Sequence, residues 1–348
     1  MITGGAGFIG ANFCHYWLRE HPDDRVLVYD ALTYAGNRAS LAALEDLDNF
    51  RFEQGDICDR ERVSSLLREQ NIDTLVHFAA ESHVDRSISG PDAFIRTNIL
   101  GTHALLEAAR EVWLTGDGRD HRFHHVSTDE VYGSLERDEA AFDEARRYAP
   151  NSPYSASKAA SDHLVRASLH TYGLQVTTSN CSNNYGPFHY PEKLIPLCLT
   201  NILRGLTLPV YGDGSNIRDW LYVEDHCRGI EAVLERGRIG EVYNIGGNNE
   251  WSNLDIVHRL CDAMDARFAA EPALAEYFPS APPARGGSSR DLIRFVEDRA
   301  GHDWRYAIDA AKAGRELGYR PRETFDSGIA RTIDWYLDHP DWWRPLLT

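Results

Sequence analysis

The chain has 348 residues, 43% of them apolar and 26% charged, enough for two domains and too apolar for a disordered chain. Asp plus Glu number 53 against 36 for Lys plus Arg, and the net charge of −17 disfavours nucleic acid and anionic membrane as partners. Six cysteines, at 14, 58, 181, 198, 227 and 261, show neither a CxxC pair nor disulfide-framework spacing, and no apolar run nears the ~18 residues of a membrane span. With a start that runs straight into glycines rather than a secretory leader, the expected setting is cytoplasmic, with reduced thiols.

Through the first half, short β-type runs alternate with amphipathic stretches, the pattern of a parallel α/β sheet covered on both faces. Strands are predicted at Val26–Tyr29, Phe50–Glu53, Thr74–Phe78, Arg122–Ser127 and Val176–Asn180, with helices near 8–20, 60–70, 92–113 and 153–172. Only Met1 to Thr3 precede the first glycines, short of the ~5–6 residues of an ordinary inner strand, so the expected start codon lies upstream. Past about residue 180 the rhythm breaks into loops and short elements. Glu241–Ile245, followed by Gly246-Gly247, predicts one more sheet strand. The stretch 271–290, rich in Pro, Ala, Gly and Ser, reads as an exposed loop before helices near 309–317 and 323–338.

Thr3-Gly4-Gly5-Ala6-Gly7-Phe8-Ile9-Gly10 contains both GxxGxxG and GxGxxG between a strand remnant and a helix. Such glycines allow a tight turn and close approach of backbone to a pyrophosphate at the helix N-terminus. Asp30 ends the next strand, where a carboxylate can accept from a ribose diol and repel a 2′-phosphate. The pair favours NAD over NADP, against the blander reading of a capping turn beside a surface Asp. Asp56-Ile57 suits an adenine edge and suits a helix cap equally well. Ala79-Ala80 leaves room for a cofactor at the end of the fourth strand.

Tyr154-Ser155-Ala156-Ser157-Lys158 places a phenol and an ammonium at i and i+4, on one helix face. A free phenol, with a pKa of about 10, is a poor base, and neighbouring positive charge improves it. Lysine occurs only at 158, 193 and 312, so Lys158 stands out among basic residues that are otherwise Arg.

The glycine turn with Tyr154 and Lys158 resembles the extended short-chain dehydrogenase/reductase family, whose nucleotide-sugar members share a run like Tyr222-Val223-Glu224-Asp225. Ser127-Thr128-Asp129-Glu130-Val131-Tyr132-Gly133 narrows the resemblance. Members that only epimerise at C4 typically carry small residues where Asp129 and Glu130 stand. Those that remove water need an acid and a base side by side, and Thr-Asp-Glu is similar to the dTDP-glucose 4,6-dehydratases. AAESHVDRS (79–87), TNILGT (97–102), NCSNNYG (180–186), PEKLIP (191–196), RDWLYVED (218–225), VYNIGG (242–247) and GHDWRYAID (301–309) extend the similarity to about residues 1–340. The departures are the short first strand, the variable 266–290 stretch, and Ala300, where the family usually has Pro.

The resemblance implies a Rossmann-type doubly wound sheet over 1–180, with returning segments near 219–247. A smaller sugar-nucleotide lobe follows over 181–218 and 248–348. It implies NAD held by Gly4, Gly7, Phe8, Ile9, Gly10, Asp30, Thr33, Asp56, Ile57, Ala79, Ala80, Ser82, Thr97, Tyr154, Lys158 and Asn184. The substrate, dTDP-glucose, would meet Ser82, Thr128, Asn183, Lys193, Leu194, Pro209, Tyr211, Arg218, Asn253, Arg299 and His302. A guanidinium at 218 also suits a diphosphate on chemistry alone. Catalysis would fall to Thr128, Asp129, Glu130, Tyr154 and Lys158, in a homodimer joined through helices near 92–113 and 153–172. The alternatives are a 4-epimerase or decarboxylase of the same family, or a non-catalytic NAD-binding regulator.

No metal is expected. His121, His124 and His125 cluster in sequence, but strand neighbours point to opposite faces and no Cys or carboxylate completes a site. Trp335, Trp342 and Trp343 suit packing or an interface. Ser127 lacks the GxSxG of a serine hydrolase.

Overall fold

A computed structural model describes residues 1–116, 118–299 and 301–347; Ala300 lies outside the described residues. In chain order the strands are β1 (Ile2–Thr3), β2 (Val26–Asp30), β3 (Phe50–Gln54), β4 (Thr74–His77), β5 (Arg122–Thr128), β6 (Val176–Cys181) and β7 (Asn183–Tyr185). They continue as β8 (Leu208–Tyr211), β9 (Ile217–Tyr222), β10 (Val242–Ile245), β11 (Glu250–Ser252), β12 (Ile293–Val296) and β13 (Arg305–Tyr306). Seven of them form one parallel sheet in the order β10-β6-β5-β4-β1-β2-β3. Its strands read as nearly unbroken buried runs because helices cover both faces; every residue of β2 and of β6 is buried.

The two residues of β1 pair with both neighbours, Ile2 opposite Val28 on one side and Val76 on the other. The strand order reverses there, so the crevice beyond the strand ends opens above β1 and β4, where α/β sheets of this kind bind ligands. Helix Phe8–Glu20 starts at Gly7, directly off that crevice. Helix Pro153–Tyr172 is set by a reciprocal Ser152–Ser155 capping box with Pro153 at its first turn, and Gly173 at φ 81° stops it.

Three stretches differ from the sequence reading. The 92–113 region is helical but not regular: α-helical Asp92–Phe94 and Thr102–Ala109 alternate with π-helical Ile95–Gly101 and Arg110–Leu114. Buried Asn98 fixes the first π segment, accepting from Glu81 N and donating to Glu81 O and Ser157 Oγ, contacts that apolar periodicity does not register. The region after 180 holds three substantial helices, Leu194–Arg204, Val223–Arg236 and Asn253–Ala270, in place of loops and short elements. The 271–290 stretch is no exposed loop. It folds into short helical turns, and Leu274, Phe278 and Ala281 are buried in a core shared with Ile195, Leu260 and Trp343.

That second core supports the smaller sheets, β11-β9-β13 with β7 alongside β9, and the parallel pair β8/β12. The terminal tryptophans serve packing: Trp343 is fully buried, and Trp335 and Trp342 meet edge-on and enclose Phe188. No helix among the described residues is long and apolar enough to cross a membrane.

Candidate active site

A cleft of about 520 Å³ runs from the glycine turn to the second core, and all but one of the predicted site residues line it. At its first end, Gly4 adopts φ +69°, and a Cβ there would sit 2.5 Å from Ala79 N. A Cβ on Gly10 would sit 2.2 Å from Gly4 O. The turn therefore closes only with hydrogens at these positions, and Gly7 leaves the helix start without a side-chain cap. Uncapped N–H groups beside a hollow that side chains would fill are what a pyrophosphate requires.

Asp30 is buried at the end of β2 and accepts from Ala6 N at 2.9 Å and Leu32 N at 2.8 Å, while burial raises its pKa. Asp56 resolves one of the open readings. Asp59, not Asp56, caps helix Arg60–Glu69; Asp56 faces the cleft, accepts from Cys58 N and pairs with Arg96 at 2.9 Å. Ile57, Thr33, Ala79, Ala80, Ser82, Thr97 and Asn184 line the same half.

Farther in, Tyr154 and Lys158 face β5 from helix Pro153–Tyr172. The Tyr154 hydroxyl lies beside Thr128, and Lys158 Nζ donates to Val126 O at 2.8 Å. Burial pushes the phenol well above its ordinary value and the ammonium below its own. Thr128 caps the turn Asp129–Tyr132, its Oγ1 accepting from Glu130 N, so the two carboxyls leave the strand end in different directions. Glu130 lines the cleft. Asp129 does not: it is the exception among the predicted residues, lying fully buried behind the wall with Oδ2 lacking a partner.

Their environments separate the two acids. Burial, reinforced by Glu130 and Asp219, raises Asp129 far above the carboxylate range. Burial also raises Glu130, but Arg218 and Lys193 pull it back. Arg218 opposes the shift at both, Lys193 adds to it at Glu130, and Asp129 carries the repulsion of Glu130 and Asp219, an asymmetry that suits Asp129 to an acid's part and Glu130 to a base's.

From the second core come Lys193, whose Nζ donates to Ser82 O at 3.0 Å, and Arg218, which lies 4.3 Å over the Tyr306 ring and donates to the carbonyls of Ile217 and Asp303. Arg299 pairs with Asp85 at 2.6 Å, and His302 contacts Asp298 at 2.7 Å. Asn183, Leu194, Pro209, Tyr211 and Asn253 complete this half.

A sequence profile described as GDP-mannose 4,6 dehydratase matches residues 1–332. The dTDP-glucose 4,6-dehydratase of Neisseria meningitidis is 52% identical, covering 100% of this chain and 95% of its own. The chain belongs to the dTDP-glucose 4,6-dehydratase family. The solved family member DesIV of Streptomyces venezuelae, which contains NAD, is 47% identical over 99% of this chain and 98% of its own, with a TM-score of 0.88. A UDP-glucuronic acid 4-epimerase from Bacillus cereus shares the fold at 27% identity and a TM-score of 0.82, covering 97% and 98% of the two chains.

Within this dehydratase-family site, sequence reading passed over Tyr306, which supports Arg218 from the neighbouring strand; β13 pairs with β9 so that Tyr306 stands opposite Arg218. The 301–309 run that contains His302 also carries Tyr306. The clustered histidines occupy separate niches. His124 meets Thr177 and Ser179, His125 meets Asp162, and His121 meets Arg119 O and Gln175 N. Among the described residues, His21, Glu231 and Glu235 come within metal-ligating distance of one another, but Glu231 is already engaged by Tyr16 and His21.

Proposed function

We propose that this chain binds NAD and converts dTDP-glucose to dTDP-4-keto-6-deoxyglucose, with no net redox change. The observation that carries the reading is the pairing of a buried Tyr154–Lys158 face with two adjacent carboxyls in different environments at the adjoining strand end, Glu130 lining the cleft and Asp129 buried behind it. The glycine hollow and Asp30 fit the cofactor, which supplies the acceptor and later the donor for the hydrogen moved from C4 to C6.

Tyr154 takes the proton of the C4 hydroxyl. Burial alone opposes this, so positive charge at Lys158 and across the cleft must favour the phenolate. Once C4 is a ketone the C5 proton is acidified; Glu130 removes it, Asp129 protonates the departing C6 hydroxyl, which leaves as water, and a proton returns to C5 as C6 takes back the hydrogen from C4. Asp129 reaches the cleft by a side-chain rotation out of its niche, which its single long contact with Thr128 at 3.4 Å resists little. Arg218 and Lys193 bind the diphosphate, and Asn183, Leu194, Pro209, Tyr211, Asn253, Arg299 and His302 bind the rest of the sugar nucleotide.

In this reading residues 1–180, with returning segments near 219–247, form the cofactor domain, and 181–218 with 248–348 form the substrate lobe. A cytoplasmic homodimer is supported by six unpaired cysteines and by exposed Ile95 and Leu100 on the irregular helix after β4. Product NMR with dTDP-, UDP-, GDP- and CDP-hexoses tests the function. A 4-keto-6-deoxy product from dTDP-glucose is expected; dTDP-galactose would identify an epimerase instead, and no turnover of any of them a silent NAD-binding protein.

A further inference from the structure

We propose that Asp162 is a positioning residue for the catalytic pair, the buried counter-ion that keeps Lys158 charged and binds its helix to the strand carrying the acids. The inference rests on the reading of Lys158 as the group that tunes Tyr154, and deepens it.

Asp162 stands one helical turn beyond Lys158 and two beyond Tyr154, so the three share a face. Its carboxylate is buried and held by β5, with the Tyr148 hydroxyl close by. His125 Nε2 donates to Oδ1 at 3.0 Å, and Ser127 Oγ donates to Oδ2 at 2.9 Å. His125 and Ser127 alternate onto one face of the strand, while Val126 between them offers its carbonyl to Lys158. Three consecutive residues of β5 therefore hold a buried ammonium and the buried carboxylate one helical turn beyond it, immediately before Thr128-Asp129-Glu130.

The groups around the pair leave Asp162 as the counter-charge. His77 from β4 and His125 from β5 are kept neutral, chiefly by burial and also by Lys158. Cys181 from β6 is pushed up to about 12 by burial, and burial raises Tyr148 and Tyr154 beyond ionisation at neutral pH. His163, on the same helix, acts on Asp162 in the direction that favours its charge. Burial raises Asp162 to about 6, while Lys158 and Ser127 hold it ionised above that. In turn Asp162 is the main influence opposing the loss of the Lys158 proton. A buried ammonium with no opposite charge near it neutralises itself, and one with a carboxylate a helical turn away keeps its proton to higher pH.

With three lysines in the chain, lysine-selective ¹⁵N NMR resolves the three ammonium groups in the folded protein. In Asp162→Asn, which keeps the shape, the Lys158 signal should titrate about one pH unit or more lower, with Lys193 and Lys312 unmoved. The alkaline limb of kcat should shift by the same amount. A uniform fall in kcat at every pH, with Lys158 titrating as in the native protein, would overturn the proposal. If Asp162→Asn does not fold, Ser127→Ala serves: it removes one donor and keeps the charge. The acid-side inflection of the Lys158 signal near pH 6 should then move upward, and an unmoved inflection overturns the proposal. Lysine titration needs no turnover, so an error in the role of Tyr154 would leave these shifts intact and break only their link to kcat.

Discussion

The two ends of the cleft are built on opposite principles. At the glycine turn, selectivity lies in backbone: Gly4 and Gly10 close a loop so tight that a single Cβ collides with a main-chain atom, and no charged group of the turn takes part. At the acid end the backbone is ordinary strand and helix, and the work falls to Tyr154, Lys158, Asp129 and Arg218, ionisable side chains drawn out of water, with half-buried Glu130 facing the cleft between them. A hollow shaped by main chain tolerates no added atom but needs no electrostatic support. A buried charge tolerates small changes of shape but depends on every neighbour that stabilises it. Steric substitutions should therefore damage the first end, and charge-altering substitutions the second.

The largest effect is expected where a proton acceptor is deleted without a change of shape. Tyr154→Phe should lower kcat on dTDP-glucose by about 10³-fold. Cofactor retention on gel filtration should be unchanged, because the glycine turn is untouched. Loss of the cofactor in this variant would mean that the two ends are not separable. Asp129→Asn should cost about 10²-fold, and unequally. Oxidation at C4 continues while elimination stalls, so reduced-nicotinamide absorbance should build up on adding substrate; equal slowing of both steps would reverse the assignment of Asp129 as the acid. Gly10→Ala sharpens the contrast from the other side. The added methyl meets Gly4 O, and we expect about 1–3 kcal/mol of lost stability in urea unfolding together with lost cofactor, but an unaltered pH profile in whatever fraction stays loaded.

The same contrast explains what could be read in advance. Glycine spacing, the acid ending β2 and the i, i+4 pair at Tyr154 and Lys158 are local patterns, and the cofactor half of the fold follows from them almost strand by strand. Burial is not local. That Asp129 turns away from the cleft while Glu130 faces it depends on the turn capped by Thr128, and that the 271–290 stretch is core depends on Leu274, Phe278 and Ala281 meeting helices far away in sequence. The π segments around Thr97 are invisible for a related reason: Asn98 is anchored by Glu81 and Ser157, residues its own neighbourhood does not contain. The helices near 309–317 and 323–338 were legible, whereas Leu194–Arg204 and Asn253–Ala270 pack on the second core and Val223–Arg236 beside the main sheet, partners far away in sequence.

The smallest effect probes whether buried polar groups outside the site obey the rule of the acid end. His124 is fully buried in the central sheet between Thr177 Oγ1 and Ser179 Oγ, each at 3.0 Å, and burial holds it neutral well below its ordinary range. The unfolded chain takes up a proton at this residue as pH falls through about 6.5, whereas the folded protein does not. Its contribution to stability is therefore complete above about pH 6.5 and is lost as pH falls, by about 1.4 kcal/mol per unit. His124→Gln removes that proton uptake while keeping a side chain able to hydrogen-bond. In urea unfolding the variant should be about 1 kcal/mol less stable than the native protein near neutral pH. One unit below about pH 6.5 that gap should have closed, because the native protein alone has lost stability there. A gap that stays constant with pH would mean that His124 contributes through packing, and that charge sensitivity is confined to the cleft.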